Sequence, residues 1–166
     1  MRHLFLQFSV IVLSLLCSCI SDAITEDDIK VQVGDNVPSL EVEMLNGETF
    51  STSQMIGHTY LIMFFSTTCK DCLRQLPEVD KAYRKLGRHN AIIAISRAEA
   101  TDIVEPFWRQ NAFVLPVAST TDRRIYELFA LQGVPRLYFV NQRGQIIYMS
   151  DDKTTLSADE IIKFLN

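Results

Sequence analysis

Several things are missing from this sequence, and each absence narrows it. There is no second C-x-x-C to set beside Cys69-Lys70-Asp71-Cys72, and His58 and His89 stand isolated from it. A four-ligand zinc site of the Cys/His kind therefore lacks donors, although two thiolates completed by one distant histidine remain an open alternative. There is no basic stripe, and the formal net charge is −4, so nothing offers a footprint for nucleic acid. The apolar run at residues 4–16 falls short of the roughly 20 residues of a comfortable membrane span. Internal repeats and low-complexity tracts are also absent. What is left is a chain of 166 residues, 48 % hydrophobic and 22 % charged, suited to one globular domain.

The N-terminus reads as an export leader. Arg2 and His3 precede the short apolar run, the arrangement of a secretory signal peptide over residues 1–18. Leu16-Cys17-Ser18-Cys19 resembles a bacterial lipobox, with small Ser18 before Cys19, which makes Cys19 the expected lipidation site. Ordinary cleavage nearby, a retained anchor helix, and cysteines that are merely small apolar residues all remain alternatives. Residues 19–35, polar and acidic, are expected to be a tether, with the folded domain over 36–166. A lipid at Cys19 would hold that domain on a membrane at the extracytoplasmic, periplasmic side. There an oxidising environment lets a cysteine pair cycle. Cys69 and Cys72 are then the only pair in the domain, and too close together to act as a structural staple.

That pair has an informative setting. Residues 60–65 (YLIMFF) form an apolar stretch of strand length, and residues 69–85 read as a helix with Leu73, Leu76, Val79, Ala82, Tyr83 and Leu86 on one face. Pro77 is expected to kink it. A C-x-x-C at a strand-to-helix turn sets the first thiol among unpaired N–H groups that favour thiolate. The second thiol sits one turn on, able to attack a mixed disulfide. Around this centre the pattern predicts an N-terminal hairpin turning at Asn46-Gly47 and a short helical turn over 51–56. Next come a strand over 91–96, a helix over 101–111 and an extended segment over 114–118. A helix capped by Asp122 and running to Phe129 follows, then a hairpin from residues 136–140 and 145–149. The last helix opens on the Ser157…Glu160 capping box. Strands alternating with helices imply an α/β fold with a mixed central sheet flanked by helices.

FFSTTCKDCLRQLP, followed by Gly133-Val134-Pro135 entering a strand, resembles the thioredoxin-like fold. The N-terminal hairpin, the inserted strand and helix near 91–111 and the lipoprotein-like leader resemble its TlpA/ResA-like branch of extracytoplasmic thiol–disulfide oxidoreductases. The resemblance covers residues 33–166. It implies that Cys69 is the nucleophile, Cys72 the resolving cysteine and Val134-Pro135 a cis-proline loop that orients substrate. Arg136, next in the chain, is the residue suspected of shaping specificity, and Arg123-Arg124 could flank the same face. No cofactor is implied. The expected partners are a disulfide- or dithiol-containing protein and, for a reductive role, a membrane dithiol donor, with the protein itself a monomer.

Three positions depart from the family pattern. Thr68 replaces a common tryptophan, Met63 a buried aspartate, and Gln75 a glutamate. Glu99 is then the nearest candidate acid/base carboxylate, though a solvated loop acid is the commoner fate of such a residue. Two other readings stay open. One is a redox-silent binding module; the other is a peroxiredoxin-type peroxidase, for which Ser66 and Ile62 stand where a threonine and a proline would be needed.

Overall fold

The computed structural model describes residues 28–87 and 91–166. The expected signal peptide, Cys19 and most of the expected tether lie outside the described residues. Among the described residues the architecture has seven strands and three α-helices: β1 (Glu41–Glu43), β2 (Thr49–Ser51), β3 (Tyr60–Phe65), α1 (Lys70–Leu86), β4 (Ile92–Ser96), α2 (Thr101–Gln110), β5 (Val117–Ala118), β6 (Arg136–Val140), β7 (Ile146–Ser150) and α3 (Ala158–Leu165). The central sheet has the order β5-β4-β3-β6-β7. β4 runs parallel to both β3 and β5, and β6 antiparallel to both β3 and β7. This is the mixed α/β sheet expected. The β1–β2 hairpin stands apart and is tied to the β5 edge by Leu45 N–H to Val117 O at 2.8 Å.

All six residues of β3 are buried, because layers cover both sides of the central strand. On one side Trp108 of α2 packs on Phe65, with ring centroids 5.2 Å apart, and Phe164 of α3 on Phe139 at 4.7 Å. On the other, Phe64 meets Tyr126, Phe129 and Tyr138. The capping box of α3 is present in both directions, with Ser157 bonded to the Glu160 N–H and Glu160 to the Ser157 N–H.

Several expectations need correction. Residues 28–35, expected to belong to a tether, pack against the domain. Val31 is buried, Ile29 bridges Ala130, and Gly34 N–H donates to Ile146 O. The helix expected from Asp122 is reduced to a single 3-10 turn, Tyr126–Leu128. Asp122 spends its carboxylate on the N–H of Arg124, two residues on, a local turn that competes with helix. Ser51 ends β2, and residues 52–56 form consecutive turns and no helix. The extended segment at 114–118 pairs as strand only at its end. Val114 and Leu115 give their N–H groups to the buried Asp80 carboxylate, and Pro116 has none to give. On α1, Leu73 is 45 % exposed, whereas the polar Gln75 is fully buried. The helix continues through Pro77.

Candidate active site

The turn from β3 into α1 builds the dithiol. Cys69 is the N-cap of α1, with extended backbone, and its Sγ accepts the N–H of Cys72 at 3.3 Å, one of the amides a helix start leaves unpaired. Cys69 is half-buried and Cys72 fully buried, and both are free thiols. Burial pushes the Cys72 thiol far above its usual range, and its hydrogen bond with Cys69 adds to the shift. A backbone bond from Ser66 and the positive charge of Arg97 pull the other way. Cys72 thus holds its proton, while Cys69 stands at the rim. Thr68 is exposed beside it.

Across from the dithiol lies the loop before β6. The Val134–Pro135 peptide is cis, as expected, and the Cys69 thiol donates to Val134 O at 3.1 Å. Val134 and Pro135 are buried, so this loop offers its backbone more than its side chains. It is held from three directions. Tyr126 Oη donates to Gly133 O at 2.6 Å, and Gln132 Nε2 to Asp28 Oδ2 at 2.5 Å. The Arg136 guanidinium donates to Gln132 O through Nε at 3.1 Å and Nη2 at 2.9 Å. Arg136 is 1 % exposed, and this corrects its expected role: its charge is spent inside the fold, supporting the loop, and is not offered to a substrate.

Glu99 is likewise no solvated acid. Its Oε1 accepts the Ser66 hydroxyl at 2.8 Å and the Thr67 hydroxyl at 3.1 Å, and its Oε2 the Thr67 N–H at 2.9 Å. The carboxylate therefore anchors the turn that delivers Cys69. Glu99 reaches it because Ala98 takes a left-handed conformation, φ 63°, an uncommon and costly one for a residue with a Cβ. Ser96 Oγ bonding to Glu99 O at 2.9 Å, and the bridge from Glu99 to Thr120, hold the loop in place.

Gln75, one turn beyond Cys72, is bonded on both ends to Leu156, its Nε2 to the carbonyl at 2.9 Å and its Oε1 from the N–H at 2.8 Å. Its amide is a strut to the segment before α3. Sequence reasoning missed Tyr126 and Arg97. The two meet, with the Arg97 guanidinium 5.5 Å from the Tyr126 ring centroid and Arg123 at the same distance. Neither residue belongs to a motif, and only the fold sets both beside the dithiol. A cleft of about 640 Å³ beside the β1–β2 hairpin is lined by Met44, Phe50, His58 and Tyr83 and by none of these residues.

Comparison with known proteins agrees with this fold. Residues 33–149 match the AhpC/TSA family. The thiol–disulfide oxidoreductase ResA of Bacillus cereus is 25 % identical over 147 residues, covering 86 % of this chain and 85 % of its own. The crystal structure of StoA from Bacillus subtilis superposes with a TM-score of 0.69 at 16 % identity, covering 80 % of this chain and all of that one. The thioredoxin domain of a thiol-disulfide oxidoreductase from Bacteroides vulgatus gives 0.69 at 19 % identity, covering 82 % and 99 %. With the family match spanning most of the described domain, the chain belongs to the AhpC/TSA family, on the thioredoxin-fold, ResA-like side to which its motifs pointed.

Proposed function

We propose that this protein is an extracytoplasmic thiol–disulfide oxidoreductase that acts as a reductant through Cys69 and Cys72. One observation carries the reading: at a helix N-cap the Cys69 sulfur accepts the backbone N–H of Cys72, whose own thiol is buried, and meets the Val134 carbonyl in front of it. The Cys69 thiolate attacks one sulfur of a substrate disulfide, forming a mixed disulfide and releasing the substrate's other sulfur as thiolate. Cys69 then has no S–H to give Val134 O, and that carbonyl becomes free to accept a substrate backbone N–H. Cys72 passes its proton to the substrate thiolate released in the first step and attacks the Cys69 sulfur. The 69–72 disulfide forms and the second substrate thiol leaves. Two electrons and two protons pass to the substrate, and a membrane dithiol donor would restore the pair.

In the same proposal residues 1–18 direct export and Cys19 carries the lipid, so Cys19→Ala releases the protein from membranes on fractionation. Val134 and Pro135 present backbone to the substrate, and Glu99 acts as the anchor of the Ser66–Thr67 turn. The deciding experiment is a glutathione redox titration of the 69–72 pair by thiol alkylation. A midpoint near or below about −220 mV supports a reductant, and one between about −120 and −180 mV an oxidase or isomerase. With no reversible transition the redox reading fails and a binding module is left. Cys69→Ser should abolish reduction of insulin.

A further inference from the structure

We propose that Arg97, with Lys70 beside the nucleophile, selects substrates that carry an acidic residue next to the disulfide to be exchanged. The inference rests on the dithiol reading and deepens it. Arg97 follows β4 directly, and its N–H donates to Phe65 O at 2.8 Å, at the end of the strand that leads into the Cys69 turn. Its half-buried guanidinium lies over the Tyr126 ring, whose hydroxyl holds Gly133 O, one residue before the carbonyl that Cys69 contacts. A cation held over an aromatic face loses conformational freedom and keeps its charge. The same charge is felt at Cys72, so it lies within electrostatic reach of the reacting sulfurs.

The balance of charge around the dithiol gives the sign of the substrate. Asp71 of α1 is paired with Arg74. In the flanking loops Glu99 is taken up by Ser66 and Thr67, Asp122 by Arg124 at 2.7 Å, and Glu127 by Arg123 at 3.4 Å. Among the described residues no carboxylate lies within ion-pair distance of Arg97 or Lys70. Two cations with no carboxylate partner among the described residues thus flank the reactive rim of a protein whose net charge is −4. A carboxylate arriving on a substrate meets them without displacing a partner. Ala98, strained between Arg97 and Glu99, fixes both side chains on one short loop, so the residue that anchors the nucleophile's turn and the residue that reads the substrate are placed together.

The test uses pre-reduced protein in single turnover with three disulfide-bonded peptides, identical except for Glu, Gln or Lys beside one cysteine. The protein dithiol supplies both electrons, so no external donor enters the rate. The expected order is Glu, then Gln, then Lys, with about a threefold to fivefold gain of Glu over Gln, the range of one partly exposed ion pair. That ratio falls toward one in 1 M salt, where the Debye length is about 3 Å. Arg97→Gln should bring the ratio toward one whatever it does to absolute rates, and Arg97→Lys should restore part of it. Lys70→Gln should lower it less. A wild-type ratio of one, or a ratio unchanged by Arg97→Gln, overturns the inference while the redox reading stands. If none of the peptides is reduced and the 69–72 pair does not titrate, both fall.

Discussion

Two loops face each other across the hydrogen bond from Cys69 to Val134, and they are held by opposite chemistry. The loop before α1 is secured by an acceptor: the Glu99 carboxylate gathers the donors of Ser66 and Thr67. The loop before β6 is secured mainly by donors, as Arg136 and Tyr126 reach the carbonyls of Gln132 and Gly133. The difference follows from what each loop leaves unpaired. In the turn before the N-cap, the Thr67 N–H and the Ser66 and Thr67 hydroxyls lie outside strand and helix and need an acceptor. Ahead of a proline with no N–H, carbonyls are left over and need donors. A carboxylate on one side and a guanidinium on the other are therefore structural answers to backbone, although each looks in sequence like chemistry or recognition.

Removing either answer should break its loop. The largest effect is expected from Arg136→Ala, which empties a buried volume and leaves Gln132 O unpaired; urea unfolding should show a loss of about 3 kcal/mol. Glu99→Ala should cost about 2 kcal/mol in the same measurement and slow insulin reduction by loosening the turn that carries Cys69. Glu99→Gln keeps an acceptor and should recover about half of that loss. If Glu99→Gln instead matches Glu99→Ala in rate while restoring stability, the carboxylate has a role beyond anchoring.

A third effect separates the two sulfurs by pH. The Cys72 thiol is raised in the folded protein, so the native state holds a proton that the unfolded chain releases. Its contribution is complete below the unfolded cysteine pKa of about 8.5 and is lost as pH rises toward the folded value. The reduced protein should lose about 1.4 kcal/mol per pH unit above about 8.5. The oxidised protein, with no thiol to titrate, should hold until about pH 10, where buried Tyr60 and Tyr138, raised by burial in the same sense, begin to act. Parallel unfolding curves for both redox forms across that range would contradict the burial of Cys72. The smallest effect is a gain: Ala98→Gly relieves the left-handed backbone and should add up to about 1 kcal/mol, read as a rise in the urea midpoint.

The dithiol, its helix and the α3 capping box were legible because each is local. Short-range spacing and helix-end rules place Cys69, Cys72 and Ser157 with no help from distant chain, and the family resemblance adds the cis Pro135. The failures share the opposite cause. Leu73 looked like core and is half-exposed, and Gln75, read only as a replacement for a glutamate, is buried because the segment before α3 offers it a paired N–H and C=O more than 80 residues away in the chain. Asp122 looked like a cap, until its own Arg124 amide claimed it. Residues 28–35 looked like tether by composition, yet the Phe129–Leu131 edge takes their backbone.

From its order of residues alone the protein was bound to be an α/β domain with a C-x-x-C at a helix start, since periodicity and helix-end chemistry act within a few residues. Which charges stay free and which are spent on the fold was decided only by the tertiary structure. Arg97, Glu99 and Arg136 are all charged residues next to strand ends, and nothing in the sequence separates them. Packing buries one, gives one to Ser66 and Thr67 and leaves the third over Tyr126, because a charge near a core must either find a partner or keep its contact with water.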